Sequence, residues 1–299
     1  MTEELRLRIG DMSFAALAWG PTEGPLALCL HGYPDTAHTW RHLGPYLAER
    51  GWRVVAPFTR GYGPTDLAPD GAYQLGALAR DARRLYEELG GDSRAVLIGH
   101  DWGAATTYLL GSHAPGLFAR LVTLAVPPTK ALQSALRSPV AFVRDLPLAA
   151  RQVRNSRYMF FNLLPGISER RLRGLIPQQW AEWSPAYDAG EDLAAVFDAL
   201  NTPERRTAAL RYYRALFLPW YRQAEYAAEQ AHHTDIPDAP LLYLHGEDDG
   251  CLQVELAGRT APLLALGSRV EVVPEAGHFL HLERPDDVNA RITSFLGTP

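Results

Sequence analysis

Two cysteines among 299 residues are too few for a disulfide framework. Cys29 lies in the apolar run Pro25–Leu30 and Cys251 follows an acidic loop. Both fit buried or incidental thiols better than a bridge or a metal site, so a reducing, cytoplasmic setting is expected. No apolar stretch approaches the length that spans a bilayer, and no membrane insertion is expected. Met1 to Asp11 alternates charged and apolar residues without an apolar h-region, and the terminal Gly-Thr-Pro is no readable targeting signal. Basic patches interleaved with aromatics are also missing, and the net charge is −5 with a pI near 6.1. A nucleic-acid partner is therefore not expected. Internal repeats and low-complexity stretches are absent, and nothing in the sequence signals an oligomeric state. The composition, 47% hydrophobic and 21% charged, is that of one large globular domain or of a domain with an insert.

The first part of the chain alternates strand and helix patterns. Met12–Trp19, Pro25–Leu30, Arg53–Pro57, Ala95–Gly99 and Leu121–Val126 read as strands. Helical spacing covers Trp40–Arg50, Leu75–Leu89 and a segment ending near Leu110. Continuous apolar strands separated by helices predict an α/β fold, a mostly parallel sheet with helices on both faces. From about Pro127 to Pro237 the chain becomes aromatic- and Arg-rich and helical, with no convincing strand. Strand–helix alternation then returns with Leu241–Leu244, Gln253–Leu266, Val270–Val273 and Pro285–Leu296. The closing segment has too few strands for a core of its own. The economical division is a sheet domain in two parts, 1–127 and 238–299, with a helical insert at 128–237. An insert leaving from the carboxyl ends of the strands would roof the place where parallel sheets bind ligands.

The most informative segment is Val96-Leu97-Ile98-Gly99-His100-Asp101-Trp102-Gly103-Ala104-Ala105. It has the Gly-x-x-x-Gly frame of a strained strand-to-helix turn that presents a nucleophile, with Asp in place of the usual Ser. Flanking glycines let the backbones pass closely and push the central side chain into the open. The following helix aims its N–H groups at the site. The residue type dictates the chemistry. A serine alkoxide attacking a saturated carbon would leave an ether, whereas a carboxylate leaves an ester that water can cleave. A carboxylate is already ionised at neutral pH, so the first step needs no base. Asp101 therefore points to substrates attacked at a polarised saturated carbon, such as epoxides or alkyl halides.

Two later loops carry candidates for the supporting groups. His245-Gly246-Glu247-Asp248-Asp249-Gly250 follows Leu241–Leu244 and crowds three acids together. Gly277-His278-Phe279-Leu280-His281 lies between the last strand and the last helix and offers two histidines. Either could activate a water. The adjacent pair His232-His233 projects in two directions on a helix or a strand and reads as solvated surface rather than a metal site.

Taken together, His31-Gly32-Tyr33-Pro34, Arg60-Gly61-Tyr62-Gly63, Gly99-His100-Asp101-Trp102-Gly103 and Gly277-His278 resemble the epoxide hydrolases of the α/β-hydrolase fold, relatives of the haloalkane dehalogenases. The resemblance covers nearly the whole chain. It implies Asp101 as nucleophile, His278 rather than His281 as base, and Asp249 rather than Asp248 as the acid that orients the base. It also implies an oxyanion hole built from the backbone N–H groups of Tyr33 and Trp102. No metal or organic cofactor is implied, and the partners are a small-molecule epoxide and water.

Epoxide hydrolases of this kind carry two lid tyrosines that bind and protonate the epoxide oxygen. Tyr158-Met159-Phe160-Phe161-Asn162-Leu163-Leu164-Pro165-Gly166 resembles the first lid segment and Pro219-Trp220-Tyr221-Arg222 the second, which implies Tyr158 and Tyr221 as substrate-binding phenols. Ring opening releases an alkoxide, a poor leaving group, and a phenol at that oxygen lowers the barrier. Hydrolytic dehalogenation is the alternative with the same nucleophile. Against it, Tyr33 stands where many dehalogenases have Asn, and Trp102 stands where the fluoroacetate branch has Arg.

Overall fold

A computed structural model of the protein describes residues 2–133 and 139–298. Eight strands form one sheet: β1 (Glu3–Ile9), β2 (Met12–Trp19), β3 (Leu26–Leu30), β4 (Arg53–Pro57), β5 (Val96–His100), β6 (Arg120–Leu124), β7 (Leu241–Gly246) and β8 (Arg269–Val273). Their spatial order is β1-β2-β4-β3-β5-β6-β7-β8. The hairpin of β1 and β2 joins antiparallel at one edge, and β4 through β8 run parallel. Every residue of β3 and β5 is buried, as expected of parallel strands covered on both sides. Their side chains alternate between two cores. Leu26, Leu28 and Leu30 enter the larger cluster, whereas Ala27 and Cys29 enter the other.

Helices cover both faces. On the sheet domain these are α1 (Leu43–Ala48), α2 (Leu75–Glu88) and α3 (Trp102–His113). Among the described residues between β6 and β7 the regular elements are all helical, with 3-10 turns besides α4 (Thr129–Leu132), α5 (Pro139–Asn155), α6 (Arg157–Asn162), α7 (Ile167–Trp183), α8 (Gly190–Ala199), α9 (Pro203–Phe217) and α10 (Ala227–Gln230). Residues 134–138 of the anticipated insert lie outside the described residues. The chain returns through α11 (Glu255–Thr260), α12 (Leu280–Glu283) and α13 (Pro285–Leu296). No helix among the described residues is long and apolar enough to cross a membrane.

One strand had not been anticipated, and two expected helices are shorter. The charged–apolar alternation of the N-terminus is a strand, β1, with Leu5, Leu7 and Ile9 turned inward and Glu4, Arg6 and Arg8 outward. The predicted helix Trp40–Arg50 is shorter, because residues 37–40 form a 3-10 turn and α1 starts only at Leu43. The predicted helix Gln253–Leu266 is likewise reduced to α11 and a 3-10 turn at Ala261–Leu263, where Pro262 supplies no N–H.

The order of the strands locates the site. The chain runs from β3 to β4 on one side, then crosses to β5 on the other. The carboxyl ends of β3 and β5 are thus adjacent, in register at Leu30 and Gly99. Such a reversal opens a crevice in a parallel sheet. The loop Gly32–Tyr33 and Asp101 emerge there together.

Candidate active site

Asp101 sits between β5 and α3 with φ 52° and ψ −114°, a left-handed backbone that a side chain other than glycine rarely adopts. Its neighbours enforce the turn. A Cβ on Gly99 would stand 2.2 Å from the Gly103 carbonyl oxygen, and one on Gly103 2.0 Å from that of Leu30. The side chain is thereby turned toward the loop after β3. The Tyr33 N–H donates to Asp101 Oδ1 at 2.7 Å. A Cβ on Gly32 would lie 2.4 Å from the same oxygen and 2.6 Å from the Trp102 nitrogen, so the anticipated oxyanion amides flank one spot.

The structure brings His278 and Asp249 to this carboxylate. His278 Nδ1 lies 3.0 Å from Asp249 Oδ2, and its Nε2 faces Asp101 Oδ2 at 3.7 Å. Asp249 is fixed by the N–H groups of Cys251 (2.7 Å) and Leu252 (2.9 Å), which donate to its other oxygen. Asp248 is exposed, and its backbone N–H donates to the Ala276 carbonyl. His281 is buried against Trp40, with Nε2 2.5 Å from Thr39 Oγ1. Both loops are tied to the insert. The Trp183 carbonyl at the end of α7 accepts from the N–H of His278 (2.9 Å) and from that of Gly250 (3.3 Å).

The electrostatics separate His278 from its neighbours. Burial works against its charge, but Asp249 and Asp101 outweigh burial and raise its pKa to about 10. Burial lowers His100 to about 3, helped by the charge on His278, and pushes Asp35 up to about 7. His281 is held well below its usual value for the same first reason. Asp35, His100 and His281 form a buried polar group beneath the turn, their facing atoms all within 4.8 Å of one another. The separation of 3.9 Å between Asp35 Oδ2 and His100 Nδ1 exceeds the spacing of about 3.4 Å between ligands on a tetrahedral zinc.

Above Asp101 lies a cavity of ≈ 260 Å³ between sheet and insert. Apolar side chains dominate its wall, among them Trp102, Val126, Leu132, Met159, Leu216 and Leu252. Besides Tyr108 of α3, two tyrosines of the insert reach it, Tyr158 from α6 and Tyr213 from α9. Their rings meet edge to face at 5.6 Å, and Tyr213 packs in the same way on Tyr33 (5.0 Å) and Trp102 (5.1 Å). The ring of Tyr158 is parallel to that of Tyr33 at 6.5 Å. The Tyr213 hydroxyl is buried without a partner among the described residues.

Tyr221, expected in that second position, is corrected. It closes a 3-10 turn beyond the end of α9, beside the exposed Trp220, and does not line the cavity. The signal for Tyr213 was helical phase. Ala209, Tyr213 and Leu216 share one face of α9 at i, i+4, i+7 spacing, and Leu216 lines the cavity too. His233, anticipated as solvated surface, also lines the cavity, whereas His232 pairs with Asp235 at 3.0 Å.

Comparison with known proteins agrees with this architecture. The alpha/beta hydrolase fold family matches residues 25–285. An AB hydrolase superfamily protein of Bacillus subtilis is 30% identical over 93% of this chain and 92% of its own length. Epoxide hydrolase 4 of Mus musculus is 30% identical over 98% of this chain and 78% of its own. A crystal structure from Klebsiella pneumoniae superposes with a TM-score of 0.80 at 22% identity, covering 98% of this chain and 97% of that one. A match running from the start of β3 into the last helix, on a sheet with this strand order, establishes that the chain belongs to the α/β-hydrolase fold family.

Proposed function

We propose that the protein hydrolyses neutral, apolar epoxides to vicinal diols through an ester formed on Asp101. The observation that carries this reading is a carboxylate, rather than a hydroxyl, on the strained turn, facing a cavity that also receives the two phenols Tyr158 and Tyr213. Relatives such as the mouse protein, named an epoxide hydrolase, support it. The helices of 128–237 then act as the lid. The two cysteines, both buried and free, fit the reducing cytoplasm.

In the first step an Asp101 oxygen attacks a ring carbon and the ring C–O bond breaks. Tyr158 and Tyr213 hydrogen-bond the departing oxygen, and one of them gives it a proton. Asp101 is now a neutral ester. One of the two carboxylates that hold His278 in its charged form is gone, so His278 sheds its proton, which restores the phenol. The neutral imidazole then takes a proton from water, and the hydroxide adds to the Asp101 carbonyl carbon. The tetrahedral oxyanion rests on the Tyr33 and Trp102 N–H groups. Collapse breaks the ester C–O bond, and the diol leaves with the proton from His278. The regenerated carboxyl returns its proton to the imidazole. The oxygen of the water stays in Asp101, and the epoxide has gained one molecule of water in all.

A single turnover of styrene oxide in heavy-oxygen water tests the scheme. Label in the Asp101 side chain, and an ester adduct that accumulates by mass in His278→Gln, are the expected results. Asp101→Ala is expected to be inactive. Halide release from haloalkanes without diol formation would point to dehalogenation instead.

A further inference from the structure

Cys251 stands at a junction that the steps above leave unused. Three of its atoms are engaged. Its N–H donates to Asp249 Oδ1 at 2.7 Å, and its carbonyl accepts from Gln152 Nε2 of α5 at 2.9 Å. Its sulfur lies 3.6 Å from the Tyr158 hydroxyl oxygen. The side chain is 3% exposed and lines the same cavity as Asp101, Tyr158 and Tyr213. One residue thus joins the loop of the triad acid to a phenol of the insert. The unpartnered Tyr213 hydroxyl, buried in the same cavity wall, marks this corner as the place where an oxygen acceptor fits.

We propose that Cys251 is a positioning residue for ring opening: its sulfur aims the Tyr158 hydroxyl at the epoxide oxygen and gives it up when that oxygen arrives. This rests on the covalent scheme above. A thiol sulfur is a weak acceptor, so a hydroxyl bonded to it is oriented without being held hard. An oxygen acceptor displaces it readily. Burial, and then the charges of Asp249 and Asp101, keep the thiol protonated. A thiolate here would attack the epoxide itself and end as an inert thioether.

The test is a rapid-quench single turnover with styrene oxide that resolves ester formation from ester hydrolysis. Cys251→Val keeps the shape and removes the acceptor, and Cys251→Ala removes the whole group. Both are expected to slow ester formation by about fivefold to tenfold, the cost of ordering one loosened side chain at the moment of reaction. Cys251→Ser retains an acceptor and stays nearer the parent rate. Ester hydrolysis is unchanged in all three, because the N–H of residue 251 still serves Asp249. On a Tyr158→Phe background Cys251→Val has no additional effect. The proposal is overturned if the Val and Ala variants form ester at the parent rate, if the loss persists without the Tyr158 hydroxyl, or if hydrolysis slows in parallel. Should the Val variant fail to fold, the Ala–Ser comparison decides. An His278→Gln protein that forms no ester on Asp101 refutes the covalent scheme first. An ester insensitive to Cys251 refutes this assignment alone.

Discussion

The rings of His278 and His281 both pack on that of His100 beneath the Asp101 turn, and of the three only His278 faces two carboxylates. Its pKa of about 10 lies above the value of about 6.5 expected in the unfolded chain. The stability it contributes is therefore complete below about pH 6.5 and lost as pH rises through about 10. Its ring nitrogens should titrate near pH 10 by NMR in the resting protein, and clearly lower in Asp101→Asn. A midpoint unmoved by Asp101→Asn would contradict the switch from charged group to base. The tyrosines give a second prediction. Tyr158→Phe with Tyr213→Phe should cut ester formation by about a hundredfold or more, the usual worth of general-acid help. Tyr221→Phe should stay within about twofold of the parent, since Tyr221 is not among the residues lining the cavity and a change away from the site moves little. Asp101 stood out in the sequence because glycines frame its turn, whereas His278 and Asp249 were set apart from His281 and Asp248 only by the family resemblance. Tyr213 was missed, because helical phase puts it on one face of α9 with Ala209 and Leu216 but does not tell a packing ring from one that meets a substrate.

Among the elements, β3 and α3 cross in close contact at Gly103. Gly103→Ala would drive a methyl group into the Leu30 carbonyl, since its Cβ would lie 2.0 Å from that oxygen. The overpacking cost should exceed the gain of about 1 kcal/mol that alanine brings to a helix. The expected net loss is about 2 kcal/mol, read from urea unfolding, together with loss of turnover. Strands β3, β5 and β7 were legible because fully buried parallel strands are uninterrupted apolar runs. Strand β1 was not, because half of its side chains are charged and only the alternation betrays it. Helix boundaries around residues 37–43 and 255–263 were blurred by 3-10 turns, which carry the same apolar spacing at a tighter pitch.

For the molecule as a whole, the cavity sets what can react. No lysine or arginine occurs among the described residues lining it, and its ≈ 260 Å³ are walled mainly by carbon. Neutral aryl and alkyl epoxides should accordingly show kcat/KM values about tenfold or more above those of carboxylated analogues of the same length, because an unpaired charge is costly to desolvate. Equal rates for the charged and neutral series would refute this view of the cavity. The hydrogen bonds of the Trp183 carbonyl carry a further consequence. The roof is often imagined as a replaceable module, chosen for its substrate and set on a fixed catalytic base. Here the end of α7 is part of the foundation, because one peptide oxygen steadies the loops of both His278 and Asp249. A chimera that takes its roof from a relative should therefore keep its reactivity only if the borrowed segment restores a carbonyl at that point. Where it does not, Asp249 and His278 would drift apart even though both residues are still in the chain.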